Sequence, residues 1–199
     1  MKTENAALMN MARESLKDKW GIAVGATLVL LLSSIILQKI PVVGPIISIL
    51  VSGPLTLGFA GICLSISRNQ PATVQDIANG FTHFATALGA YLLVMILVIL
   101  WALLLIVPGI VAALSYSMTF FILVEDSSLT PMEAINKSKQ MMDGYKLKYF
   151  YLCLRFIGWA LLCCLTLGIG FLWLIPYIQV STAKFYDELK GSASGPQLV

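Results

Sequence analysis

Charge is scarce in this sequence. Only 12% of the 199 residues are Asp, Glu, Lys or Arg, against about a quarter in a soluble globular domain. Histidine occurs once, at His83, and cysteine four times, at Cys63, Cys153, Cys163 and Cys164. The cysteines all sit inside apolar runs without metal-ligand spacing, which marks them as small hydrophobic residues. Nothing beside the Cys163–Cys164 pair would stabilise a thiolate. The sequence has no HExxH, GxSxG, Walker A or dinucleotide-binding pattern. No carboxylate falls in mid-span, which argues against an acidic proton or sodium relay. No catalytic residue, cofactor or metal is therefore expected, and the chain reads as non-enzymatic. A dispersed net charge of +3 leaves no nucleic-acid footprint.

Apolar residues are abundant instead, at 58%. A soluble core of this size has no use for so many, so the surplus is expected to face lipid. Six apolar runs can be drawn: Gly21 to Leu37, Ile46 to Ile66, Leu88 to Val107, Ile110 to Val124, Phe150 to Leu167 and Phe171 to Phe185. They pair through short Pro- and Gly-containing turns, "IPVVGPI" at Ile40–Ile46, "VPGI" at Val107–Ile110 and "LGIGF" at Leu167–Phe171. Such turns break helices and allow tight reversals, so each pair reads as a helical hairpin. Gly53-Pro54 and Pro176 lie within runs and are expected to kink them. Small residues at Gly21, Gly25, Gly58 and Gly61 suit close helix approach.

A polar, helix-like segment precedes each hairpin: Glu4 to Lys19, Thr73 to Ala87 and Thr130 to Tyr149. The second places Val74, Ile77, Ala78, Phe81, Phe84 and Leu88 on one helical face and opens on a Thr73–Asp76 capping pattern. The third opens Thr130-Pro131-Met132-Glu133, with proline at the favoured first position. The expected fold is an all-α membrane protein, a six-helix transmembrane bundle. It is built as three repeats of an amphipathic helix plus a transmembrane hairpin, at residues 4–66, 73–124 and 130–189. Residues 1–190 form a single membrane domain, and 191–199 a flexible tail. The mixed charges of the first nineteen residues predict no cleavable signal peptide.

Lys39 is the only charge on the hairpin-turn side. Basic residues mark the cytoplasmic face, so both termini and all three polar helices are expected there. The stretch "LTPMEAINKSKQMMDGYKLKYF" then becomes a cytoplasmic amphipathic helix, with Met132, Ile135, Met142 and Tyr145 resting on lipid or on the bundle. Its acids balance its lysines, so it is no polybasic lipid anchor.

Arg155 is the one ionisable residue well inside a run. It either snorkels or pairs with Asp126 or Asp143, or it contacts an anion or lipid headgroup in a crevice. Ser115, Tyr116 and Ser117 interrupt the fourth run and suit cross-helix hydrogen bonds or ligand contact. His83 reads as a surface residue. The expected partners are membrane lipids and a protein at the cytoplasmic face. The first expectation is a scaffold, lipid-interacting or envelope-related module. The alternative is a small permease, or an immunity-type accessory of a transporter, with a crevice around Arg155, Tyr116 and Tyr177.

Ser138-Lys-Gln-Met-Met-Asp-Gly144, Phe156-Ile-Gly-Trp159, Pro176-Tyr177 and Phe185-Tyr-Asp-Glu-Leu189 resemble the signature of bacterial integral membrane proteins catalogued as domain of unknown function 975. The chain is similar, more distantly, to the membrane domain attached to some glycerophosphodiester phosphodiesterases. It has no phosphodiesterase domain, so that activity does not carry over. The resemblance implies a bacterial plasma membrane and six spans, and supplies no catalytic residues. It marks Gly144, Arg155, Trp159, Pro176 and Tyr177 as positions to mutate; the candidate ligand or partner contacts are Arg155, Tyr116, Trp159, Tyr177 and Gly144.

Overall fold

The computed structural model describes residues 3–41 and 43–193 and is all-helical over that range. The expected tail at 191–199 lies outside the described residues from 194 on, and residue 42 of the first turn does too. The helices are α1 (Asn5–Leu16), α2 (Trp20–Gln38), α3 (Val43–Ser67), α4 (Phe84–Leu104), α5 (Ile106–Tyr116), α6 (Thr119–Glu125), α7 (Pro131–Met141), α8 (Lys146–Leu165) and α9 (Phe171–Ala193). A 3₁₀ helix, Val74–Phe81, lies between α3 and α4.

Among the described residues, five segments are long and apolar enough to cross a membrane: α2, α3, α4, α5 with α6, and α8. They are not equally buried. Half of the α3 window is buried, but only 11% of the α4 window and 17% of the α2 window. So α3 is the central helix, and α2, α4 and α8 present leucine and isoleucine outward. Apolar surface of that extent needs lipid rather than water around it. The sixth expected span behaves differently. α9 runs unbroken to Ala193 and carries Lys184, Asp187, Glu188 and Lys190 in its second half. Those charges keep it out of the set of apolar spans.

Two adjoining cores meet on α3. One gathers Leu57, Leu64, Met118, Phe121, Met142, Phe156 and Phe185; the other gathers Ala12, Leu16, Ala23, Phe59, Ile62, Ile66 and Val180. α1 joins both, with Leu8 in the first core and Ala12 and Leu16 in the second. Those three are buried, while Arg13 and Glu14 on α1, and Lys17 and Asp18 just after it, stay exposed. α1 crosses α9 between α8 and α3. Asn5 donates to the Lys148 carbonyl at one end, and Ser15 donates to the Ser67 carbonyl at the other.

The second polar segment departs from expectation. It forms a 3₁₀ helix, and α4 begins at Phe84. With three residues per turn, Val74, Ile77 and Gly80 align toward the bundle, and Phe81 and Phe84 remain 40% exposed. Close contact with α3 selects this geometry. A Cβ on Gly80 would lie 1.9 Å from the Pro54 carbonyl oxygen, and one on Gly58 would lie 2.1 Å from that of Ile77. Of the other expected small contacts, Gly25 faces Val74 and Gly61 faces Val124, whereas Gly21 meets nothing.

The second turn also moves. Pro108 and Gly109 lie inside α5, and the chain reverses at Leu105, whose backbone is extended (φ −161°, ψ 144°). Proline in the first turn of a helix loses no hydrogen bond. A Cβ on Gly109 would lie 2.8 Å from the Ala102 Cα, so glycine is what allows α5 this close to α4. The third turn falls where expected, with Leu167 (φ 53°) and Gly168 (φ 86°) in the left-handed region.

Candidate functional site

The charged ends of α3, α6 and α9 meet. Arg68 follows α3, Glu125 ends α6, and Tyr186, Asp187 and Lys190 lie on α9. The Arg68 guanidinium donates to Glu125 Oε1 at 2.5 Å and to Asp187 Oδ1 at 2.5 and 3.1 Å. Glu125 Oε2 accepts from the Tyr186 hydroxyl at 2.6 Å and from the Lys190 ammonium at 2.8 Å. Glu125 is therefore the hub, with its side chain 17% exposed. The hydrogen-bonded Asp187 carboxylate holds the Arg68 guanidinium well above its ordinary pKa, with Glu125 adding to the effect. Two cations and two anions balance, so the cluster fastens three helices rather than collecting an ion.

Beside the hub, the carbonyls that end α3 are met by cations. Lys184 donates to the Ser67 carbonyl and Lys19 to that of Gln70. This satisfies orphan carbonyls and opposes the negative end of the helix dipole. Farther along α9, Glu188 accepts from the Thr3 amide at 2.8 Å and faces the Lys148 ammonium at 3.9 Å.

A polar crevice starts at this hub. One part, of about 390 Å³, is lined by Ser65, Arg68, Gln70, Glu125 and Lys190. A second, of about 460 Å³, shares Gly61, Ser65 and Val124 with the first and continues past Asp76, Asn79 and His83. His83 is exposed, as expected. A separate cleft of about 270 Å³ is lined by Arg13, Trp20, Trp159, Trp173, Leu174 and Tyr177.

α7 is the helix of the charged stretch. Thr130 caps it: its amide and hydroxyl donate to Glu133, and the Glu133 amide donates back to the hydroxyl. The Thr130 hydroxyl and amide hold the Glu133 carboxyl below its ordinary pKa, and Ser128 does the same for Asp126. Ile135, Ser138 and Met142 are buried, while Met132 is exposed. The inner face thus rests on the bundle. Ser138 fills the break between α5 and α6, donating to the Ser115 carbonyl at 2.8 Å and accepting from the Met118 amide at 3.2 Å. Gly144 closes the segment at φ 76°.

The five candidate contacts do not converge. Trp159 and Tyr177 line the aromatic cleft together. Tyr177 also donates to the Met9 carbonyl at 3.2 Å and packs edge-on to Phe156. Arg155 is exposed on α8, with no ion pair among the described residues. Tyr116 is half-buried at the end of α5, and Gly144 sits in the turn before α8. Pro176 lies within the uninterrupted α9.

The motif residues mostly join elements to one another. A family model described as "Protein of unknown function (DUF975)" matches residues 1–115 and 103–193. The chain belongs to this family. No curated protein and no solved structure gives a significant match. The Phe-Tyr-Asp-Glu-Leu stretch of this family member buries Phe185 and Leu189 and turns Tyr186, Asp187 and Glu188 to Glu125, Arg68 and Thr3.

Sequence reasoning missed the hub. A signal was available: the second and fourth apolar runs and α9 each end in charged residues on the same side. Those charges, Arg68, Glu125 and Asp187, are of complementary sign.

Proposed function

We propose that this family member is a non-enzymatic, multi-pass plasma-membrane scaffold whose cytoplasmic face is a rigid platform for a protein partner. In this reading α9 is the sixth span. Each polar segment with its following hairpin is one of three repeats, and both termini are cytoplasmic. The observation that carries the reading is the neutral hub at Arg68, Lys190, Glu125 and Asp187. It locks three helix ends together and leaves the outer face of α7 exposed at Asn136, Lys137, Lys139 and Gln140. That face carries two lysines and two amides and has no role in packing, which suits a polar partner surface. The permease alternative has less support, because neither Arg155 nor Tyr116 lines the cleft that Tyr177 lines.

Photo-crosslinkers placed singly at Asn136, Lys139 and Leu103 test the platform in cells. Protein adducts from the two α7 positions and lipid adducts alone from Leu103 are expected. Absence of protein adducts from α7 would contradict the platform. Reproducible turnover of a lipid or peptide substrate by clean protein would contradict the non-enzymatic reading.

A further inference from the structure

The aromatic cleft joins three features that lipid recognition requires. Its floor is α9, with Trp173, Leu174 and Tyr177. Its walls are Trp20 of α2 and Trp159 of α8, and both helices pack on α9. The flanking surfaces of those walls are apolar and open: Leu28, Leu32 and Ile35 on α2, and Ile157, Leu161 and Leu162 on α8. The cleft therefore opens sideways into hydrocarbon. At its polar end stands Arg13 of α1, exposed and without an acidic partner among the described residues.

We infer that this cleft is a lateral binding groove for an anionic glycerophospholipid, with an acyl chain along the tryptophans and the headgroup phosphate on Arg13. The inference deepens the proposed membrane scaffold and rests on its being membrane-embedded. An apolar slot with a single unpaired guanidinium at its mouth matches a lipid in both shape and charge. The planar fork of Arg pairs with phosphate oxygens, and indole rings favour the boundary between headgroup and chain. A zwitterionic lipid offers the same chains but carries a compensating cation, so the groove discriminates by net headgroup charge.

Three of the four tryptophans line the groove; Trp101 does not. The Trp101→Phe protein in phosphatidylcholine vesicles is therefore a direct reporter. A minor fraction of the lipid is replaced by chain-brominated phosphatidylglycerol or chain-brominated phosphatidylcholine, and quenching is compared. Brominated phosphatidylglycerol is expected to quench roughly fivefold more per lipid, the preference one basic residue confers at an anionic surface. Arg13→Gln should remove the difference, and Lys17→Gln, at an exposed position just past the end of the same helix, should preserve it. Equal quenching in the unsubstituted groove, an unaffected Arg13→Gln, or the same loss in Lys17→Gln would overturn the groove. Absence of quenching by either lipid would overturn the membrane-embedded reading itself.

Discussion

Glu125 gathers three donors from two other segments, and its removal has a magnitude that can be worked out. In Glu125→Ala the Tyr186 hydroxyl, on a residue 2% exposed, loses its acceptor. A buried orphaned hydroxyl costs about 1–3 kcal/mol. Arg68 keeps Asp187, and Lys190 is half in solvent, so each lost ion pair adds only about 0.5 kcal/mol after screening. The expected destabilisation is about 3 kcal/mol. Tyr186→Phe is milder, at about 1.5 kcal/mol. Glu125 keeps both cations there, and the ring still stacks on Phe121 at 5.7 Å. In the double variant no hydroxyl remains to be orphaned. It should cost less than the two single changes together, by about 2 kcal/mol. Denaturant titration in mild detergent, followed by circular dichroism, measures all three. A single-variant cost below about 0.5 kcal/mol, or strict additivity in the double variant, would refute the hub as a fastening between α6 and α9.

Gly80→Ala should cost about 3 kcal/mol or more, because its Cβ has no room beside Pro54. Gly21→Ala meets open space and should stay within about 0.5 kcal/mol; the same titration reads both. Gly144→Ala should cost about 1 kcal/mol from its positive φ alone, since nothing crowds the position, and Gly144→Asn should cost less. The folded-state pKa of Glu133 lies below its ordinary value of 4.5. Its contribution is thus complete above that value and is lost as pH falls through the lower folded one. A carboxyl titration by nuclear magnetic resonance should show the depressed value, and Thr130→Val should move it upward toward 4.5.

Local signals in the sequence marked many of the elements. The Thr130-to-Glu133 cap, the ending at Gly144 and the reversal near Leu167 and Gly168 each depend on a few neighbouring residues. The apolar runs located the spanning segments because lipid-facing helices need no partner to define them. The second polar segment was misread because its 3.6-residue pattern competed with the tight docking of Gly58 and Gly80, which forces three residues per turn. Pro108 looked like a turn, but proline fits the first turn of a helix equally well. The hub stayed hidden because positions 68, 125 and 187 come together only through tertiary packing. Arg155 drew attention by standing alone in an apolar run, whereas Arg13, in a polar segment, gave no such contrast.

The most direct test of the account is the side of the membrane on which each end of the bundle lies. With the native cysteines replaced, single cysteines would be placed at Leu105 and Leu167 in the turns, and at Asn136 on α7. Each position is exposed, Leu167 to 95%. Gly44 is unsuitable, because a Cβ there would meet the Leu37 carbonyl at 2.0 Å. A membrane-impermeant maleimide added to intact cells should label Leu105→Cys and Leu167→Cys, and should reach Asn136→Cys only after permeabilisation. Labelling of Asn136→Cys in intact cells, or protection of both turn positions there, would contradict a spanning bundle with a cytoplasmic platform.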